Sequence, residues 1–229
     1  MKTTPQARKG AAAATSAAAG GPRGGKNGQG GKAGQGSKGG GAHEVRIIGG
    51  QWKRSKLAVA DRPGLRPTPD RVRETLFNWL VSASGQDDWS GWCVVDAFAG
   101  TGALGFEAAS RGAGRVTLVE QDPGLAAQLQ ASKVRLKADG VTVQRGDGLA
   151  ALGRLAPASV QLVLLDPPFD APWYAQALQA ARAALAPDGW LYVEAARAWS
   201  AEELQPLGLA PWRHLKAGAV HAHLLRPLS

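Results

Sequence analysis

The chain has 229 residues, enough for one full domain with an appendage and a core of ordinary size. Its formal charge of +9 is unevenly spread: residues 1–43 hold seven Lys/Arg and no Asp or Glu, which leaves only +2 for the rest. A single cysteine, Cys93, excludes an internal disulfide and a Cys-cluster zinc site, and no apolar run approaches the ~20 residues that span a bilayer.

Residues 1–43 are rich in Gly, Ala, Lys, Gln and Ser and contain no aromatic or branched aliphatic residue. Such a segment buries too little apolar surface to offset its ordering entropy, so a disordered basic tail is expected. Its charge suits a polyanionic neighbour such as nucleic acid, and a purely solubilising tail accounts for it equally well. Lys2 and the run Ala11–Ala14 loosely resemble a signal peptide, but no Leu, Ile, Val or Phe supplies a hydrophobic segment. A cytoplasmic protein is expected.

Residues 44–91 read as an N-terminal extension. Val45–Ala60 forms two short strands around Gly49-Gly50. Thr68 is the expected N-cap of a helix, with Pro69 its first residue. Val72, Leu76, Trp79 and Leu80 then share one helical face, which is core, and Arg66, Arg71 and Arg73 are left near the helix start.

Residues 92–229 alternate. Apolar runs Cys93–Ala97, Val116–Val119, Val141–Val143, Val160–Leu165 and Leu191–Val193 read as buried strands. Gly102–Arg111, Pro123–Lys137, Gly148–Leu155 and Trp173–Leu185 between them read as helices. This alternation implies a doubly wound α/β domain with a mostly parallel sheet. Trp212–Lys216 and Ala219–Leu225 read as an antiparallel C-terminal hairpin closing its edge. Cys93 belongs to the core, and the spacing of His43, His214, His221 and His223 suggests no metal.

Four motifs carry chemistry. Asp96-Ala-Phe-Ala-Gly100-Thr-Gly102-Ala-Leu-Gly105 joins a strand to a helix, where glycines let the backbone turn and approach a ligand. Dinucleotide enzymes share this loop. Asp96 favours a cationic amino group over a pyrophosphate, which it would repel. Glu120 ends the second strand, where a carboxylate accepts ribose hydroxyls. In Gly146-Asp147-Gly148, Asp147 is placed to accept from an adenine amino group, although Asp-Gly is also an ordinary turn. Asp166-Pro167-Pro168-Phe169 ends the most apolar strand. Two prolines leave only carbonyl acceptors there, Asp166 adds a carboxylate, and Phe169 offers a face for an extruded base. Two acceptors held together suit an NH2 group. A rigid strand-to-loop turn is the plain alternative.

Together these residues resemble the amino-methyltransferases with an Asp/Asn-Pro-Pro-aromatic motif. Arg46-Ile-Ile-Gly-Gly-Gln-Trp-Lys-Arg-Ser-Lys-Leu57, Arg66-Pro-Thr68, Arg71-Val-Arg-Glu-Thr-Leu-Phe-Asn-Trp79 and the glycine loop through Gly112 resemble the RsmD family. The likeness covers about residues 45–226 and is most specific in its first half. It implies a Rossmann-like class I fold that uses S-adenosyl-L-methionine to methylate the N2 of a guanine in 16S ribosomal RNA, the guanine(966)-N2 type, or in the assembling small subunit. It assigns Asp166, Pro167 and Phe169 to catalysis. Asp96, Phe98, Gly100, Thr101, Gly102, Gly105, Glu120, Gln121, Asp147 and Gly148 would hold the cofactor, with Arg66 and Thr68 closing over it. Arg46, Lys53, Arg54, Lys56, Arg71 and Arg73 would face RNA, no metal is involved, and a monomer is expected. An adenine-N6 DNA methyltransferase uses the same acceptor geometry. More distant readings are an NAD-dependent dehydrogenase, which gives Asp166–Phe169 no role, and a non-enzymatic RNA-binding protein working through its tail.

Overall fold

The computed structural model describes residues 44–59, 68–86, 88–168 and 171–228. The tail 1–43, Arg66 and Phe169 lie outside the described residues. Order begins with a two-stranded antiparallel ribbon, β1 (Glu44–Arg46) and β2 (Lys56–Ala58), followed by α1 (Asp70–Ser84). The domain core then alternates: β3 (Cys93–Asp96), α2 (Ala103–Ser110), β4 (Arg115–Glu120), α3 (Pro123–Leu136), β5 (Val141–Arg145), α4 (Gly148–Leu152), β6 (Val160–Leu165), α5 (Tyr174–Ala184) and β7 (Leu185–Ala195). A short helix, α6 (Ala201–Leu204), and a 3-10 turn lead to the hairpin β8 (Leu209–Ala217) and β9 (Val220–Pro227).

The seven-stranded sheet has the order β5-β4-β3-β6-β7-β9-β8. β3, β4, β5, β6 and β7 run parallel, and β8 and β9 are antiparallel. From β3 the chain winds outward through β4 and β5, then returns to β6 on the other side of β3. That reversal falls at the carboxyl ends of β3 and β6, the place where open α/β sheets bind ligands.

Both sheet faces are buried, which is why the strands read as continuous apolar runs. One face packs Val94, Leu162, Leu164, Tyr192 and Leu224 against α1, α2 and the ribbon residues Ile47 and Leu57. The other packs Val95, Val163, Leu165, Leu191 and Val193 against Ala177, Leu178 and Ala181 of α5. The N-terminal extension therefore shares the sheet's own core.

Local differences from the sequence expectations have physical causes. α1 starts at Asp70, and Pro69, not Thr68, is its cap residue, with no side-chain cap bond. The Thr68 hydroxyl is instead directed at Glu194, 126 positions along the chain. On α1 the buried face includes Arg73 and Phe77, and Trp79 is only half-buried. Cys93 is half-buried rather than core, its sulfur accepting from Arg115 Nε at 3.1 Å. α6 was not expected; a reciprocal Ser200–Glu203 capping box starts it.

Candidate active site

Three carboxylates meet at the carboxyl ends of adjacent strands. Asp96 is the last residue of β3 and is 1% exposed. Asp166 follows β6, and Glu194 lies near the end of β7 at 2% exposure. The register pairs Asp96 with Leu164 and Leu165 with Val193, so Asp166 stands beside Glu194 on the sheet face that carries Asp96.

Asp96 Oδ2 accepts from the Gly105 amide at 3.0 Å, and its buried Oδ1 has no hydrogen-bond partner. Burial raises its pKa to about 7; the Gly105 amide, and more weakly the Phe98 amide, oppose the shift, and the Glu120 and Glu194 charges add to it. An acceptor at this depth, met by no donor in full hydrogen-bond geometry, is complementary to a cationic amino group. The loop that frames it tolerates no added side chains. A Cβ at Gly105 would lie 2.1 Å from Leu118 Cδ2, and Gly102 holds φ of +78° with Leu129 and Phe106 packed against it. Thr101 is buried in the same turn.

Glu120 ends β4 and is half-buried, but both oxygens already receive backbone amides: Gly100 N to Oε2 and Asp122 N to Oε1, each at 2.8 Å. It therefore fixes the glycine loop against the β4–α3 turn, and only its remaining lone pairs are left for a ribose. Asp147 caps α4, accepting from Ala150 N at 2.6 Å, and is exposed. A Cβ at Gly148 would strike Ala97 O and the Phe98 ring, so this turn lies hard against the β3 loop. Phe98 stacks on Trp173 with centroids 5.2 Å apart, and Gln121 is exposed.

Burial raises the Asp166 pKa well above its ordinary value, with Glu194 and then Asp96 adding repulsion. Pro167 is buried, and its carbonyl lies 3.4 Å from the Tyr174 hydroxyl, which also donates to the Glu194 carbonyl at 2.9 Å. Glu194 and Tyr174 were missed by sequence reasoning. The available signal was a lone glutamate interrupting the apolar run Leu191-Tyr192-Val193-Glu194 at a strand end.

Among the basic residues, Arg46, Lys53, Arg54, Lys56 and Arg71 are exposed on the extension. Lys56 pairs with Glu44 at 2.6 Å. Arg73 corrects the expectation that it faces RNA: it is 0% exposed. Its guanidinium donates to Thr68 O, Arg46 O and Asp70 Oδ1 and lies 3.6 Å from Glu107. Among the described residues no cluster of His, Cys, Asp and Glu could hold a metal ion, and no helix is long and apolar enough to cross a membrane.

Known proteins resemble this chain in sequence and in fold. The family model described as conserved hypothetical protein 95 matches residues 45–226. Ribosomal RNA small subunit methyltransferase D of Escherichia coli is 45% identical over 129 residues, 56% of this chain and 62% of that protein. Its counterpart in Haemophilus influenzae is 51% identical over 94 residues, 41% of this chain and 46% of that protein. The chain thus aligns with less than two thirds of the length of these curated relatives. The solved structure of yhhF from Escherichia coli superposes with a TM-score of 0.67 at 34% identity, covering 81% of this chain and 99% of that one. That of HI0767 from Haemophilus influenzae gives 0.65 at 32% identity, covering 82% and 100%. The mostly parallel sheet with an antiparallel C-terminal hairpin is the Rossmann-like class I methyltransferase fold. With the family model matched over 45–226 of 229 residues, the chain belongs to the RsmD family, described as conserved hypothetical protein 95.

Proposed function

We propose that this protein transfers a methyl group from S-adenosyl-L-methionine to the exocyclic N2 of a guanine in 16S ribosomal RNA, free or in the assembling small subunit. The observation that carries the reading is the Asp166–Pro167 acceptor pair standing beside a buried, unpartnered Asp96 oxygen at the sheet's reversal point. The names of the relatives, ribosomal RNA small subunit methyltransferases, support it.

The residues fit the cofactor. Asp96 Oδ1 would take its cationic amino group, the loop Phe98–Gly105 would wrap it, and Glu120 with Gln121 would meet its ribose. Asp147 and Gly148 would border the adenine. Thr68 closes the site indirectly, through its hydroxyl on Glu194, with Arg66 proposed to act beside it. When bound, the cofactor supplies an activated methyl group on a cationic sulphur. Asp166 and the Pro167 carbonyl would accept the two amino hydrogens of the base. That draws the nitrogen lone pair out of ring conjugation and stabilises the positive charge developing on it. Phe169 would stack on the extruded base. Arg46, Lys53, Arg54, Lys56 and Arg71 would meet phosphates, with the tail 1–43 adding a diffuse attraction. The enzyme would act as a cytoplasmic monomer.

The Asp96 titration gives a pH dependence of definite sign. Its ordinary pKa is 3.8 and its folded value about 7. Protonation below 7 removes the charge that holds the cationic amino group. Cofactor affinity should therefore fall about fivefold from pH 7 to 6 and about 15-fold from pH 7 to 5.5, the slope steepening toward tenfold per pH unit. Titration calorimetry across that window checks it, and Asp96→Asn should bind weakly and without this slope. A level affinity in the wild-type protein contradicts the role given to Asp96.

The function itself is tested by nucleoside mass spectrometry of small-subunit RNA after incubation with the purified protein and labelled cofactor. N2-methylguanosine is the expected product. N6-methyladenosine, or no methylated nucleoside, rejects the proposal.

A further inference from the structure

Glu194 is a buried carboxylate whose position the acceptor pair alone does not explain. Its Oε1 receives two hydroxyls, Thr68 Oγ1 and Tyr192 Oη, each at 2.8 Å. Among the described residues no hydrogen bond or ion pair engages Oε2. Burial raises the Glu194 pKa, and the two donated hydroxyl bonds favour the charged form. They also fix the rotation of the carboxylate. Its neighbours are those of the acceptor pair: Asp166 stands next to it across the β6–β7 register, and Tyr174 bridges the Glu194 and Pro167 carbonyls.

We propose that Glu194 selects guanine, its Oε2 accepting the N1–H of the base whose N2 amino group is held by Asp166 and Pro167. This rests on the guanine-N2 reading above. Along its Watson–Crick edge guanine presents N1–H beside N2–H2, a contiguous row of donors. Adenine presents its amino group beside a bare N1 lone pair, which a carboxylate repels. A third acceptor set beside a two-acceptor site therefore distinguishes bases that Asp166 and Pro167 alone accept equally. Thr68 gives the same residue a second function. It links the N-terminal extension to the base-selecting carboxylate, so docking of the extension and choice of base share one hydrogen bond.

The experiment compares two synthetic fragments of small-subunit RNA. One carries guanine at the methylated nucleotide, located by mass spectrometry of nuclease fragments of the RNA. The other carries 2-aminopurine there, which keeps the amino group but has no N1–H. The wild-type protein is expected to prefer guanine by about 10-fold or more in kcat/KM. Glu194→Gln presents an amide NH2 that donates to the bare N1, so the guanine to 2-aminopurine ratio should fall about 10-fold, with cofactor affinity retained. Should Glu194→Gln not fold, Tyr192→Phe keeps the carboxylate, frees its rotation, and should lower the same ratio severalfold. A ratio that matches wild type in the folded variant overturns the assignment of Glu194 and leaves the guanine-N2 reading standing. A wild-type protein that forms no N2-methylguanosine overturns the reading itself.

Discussion

Asp166→Ala is expected to lower methyl transfer by about 10²–10³, the cost of removing one preorganised electrostatic contact. The carboxylate is held at the end of the most apolar strand, with Glu194 and Asp96 close enough to raise its pKa. A carboxyl group held there against desolvation and two neighbouring carboxylates, beside a proline carbonyl that cannot be traded for an amide donor, is arranged for a substrate that donates. Cofactor affinity should change far less, because Asp96 and Glu120, the residues proposed to hold the cofactor, stand on other strands. Asp166→Asn should lose less than Asp166→Ala, since its amide oxygen still accepts one hydrogen bond. Steady-state assays with radiolabelled cofactor on small-subunit RNA separate these effects, kcat carrying the loss and cofactor binding staying nearly level. A wild-type rate in Asp166→Ala would mean that Asp166-Pro167-Pro168 is only a turn.

The sequence is legible where interactions are local or periodic. β6 spans Val160–Leu165 as read, because a strand buried on both faces needs an unbroken apolar run. α3 begins at Pro123 as read, behind the Asp122 cap. The turn from Asp96 through Gly105 was legible because a close-packed strand-to-helix turn needs small residues at fixed spacing. What stayed hidden depends on pairing across the chain. β7 begins six residues before the expected Leu191, because Ala186-Pro187-Asp188-Gly189 has the composition of a turn. Arg73 beside a helix start looks solvated until Arg46 and Glu107 fold over it. Glu194 reads as a polar accident in an apolar strand until Thr68 arrives from 126 positions away.

Glu107→Ala is expected to destabilise the fold by about 3–5 kcal/mol, the scale for stripping one partner from a buried charge. The glutamate is 0% exposed in an Ala-rich helix. Its Oε2 accepts from Ile48 N at 2.7 Å, and its Oε1 from Gly49 N at 2.8 Å and Arg111 Nε at 2.9 Å. Arg73, equally buried, stands 3.6 Å away. Removing the carboxylate leaves two backbone amides and a guanidinium without their acceptor. The turn cannot shift to recover them, since a Cβ at Gly50 would already lie 1.8 Å from Ser110 O. Urea unfolding should show a lower midpoint at nearly constant slope. Glu107→Gln, which keeps an oxygen for one of the amides, should lose less. Activity should fall with stability even where Glu107→Ala is folded, because Arg73 also holds the Thr68 carbonyl and through it the Thr68–Glu194 bond. An apolar replacement of Arg73 and Glu107 together should not restore the midpoint, although it often does for isolated buried pairs. Here the Ile48 and Gly49 amides would still lack an acceptor, so full recovery in the double variant would show that the extension is held by packing and not by this carboxylate.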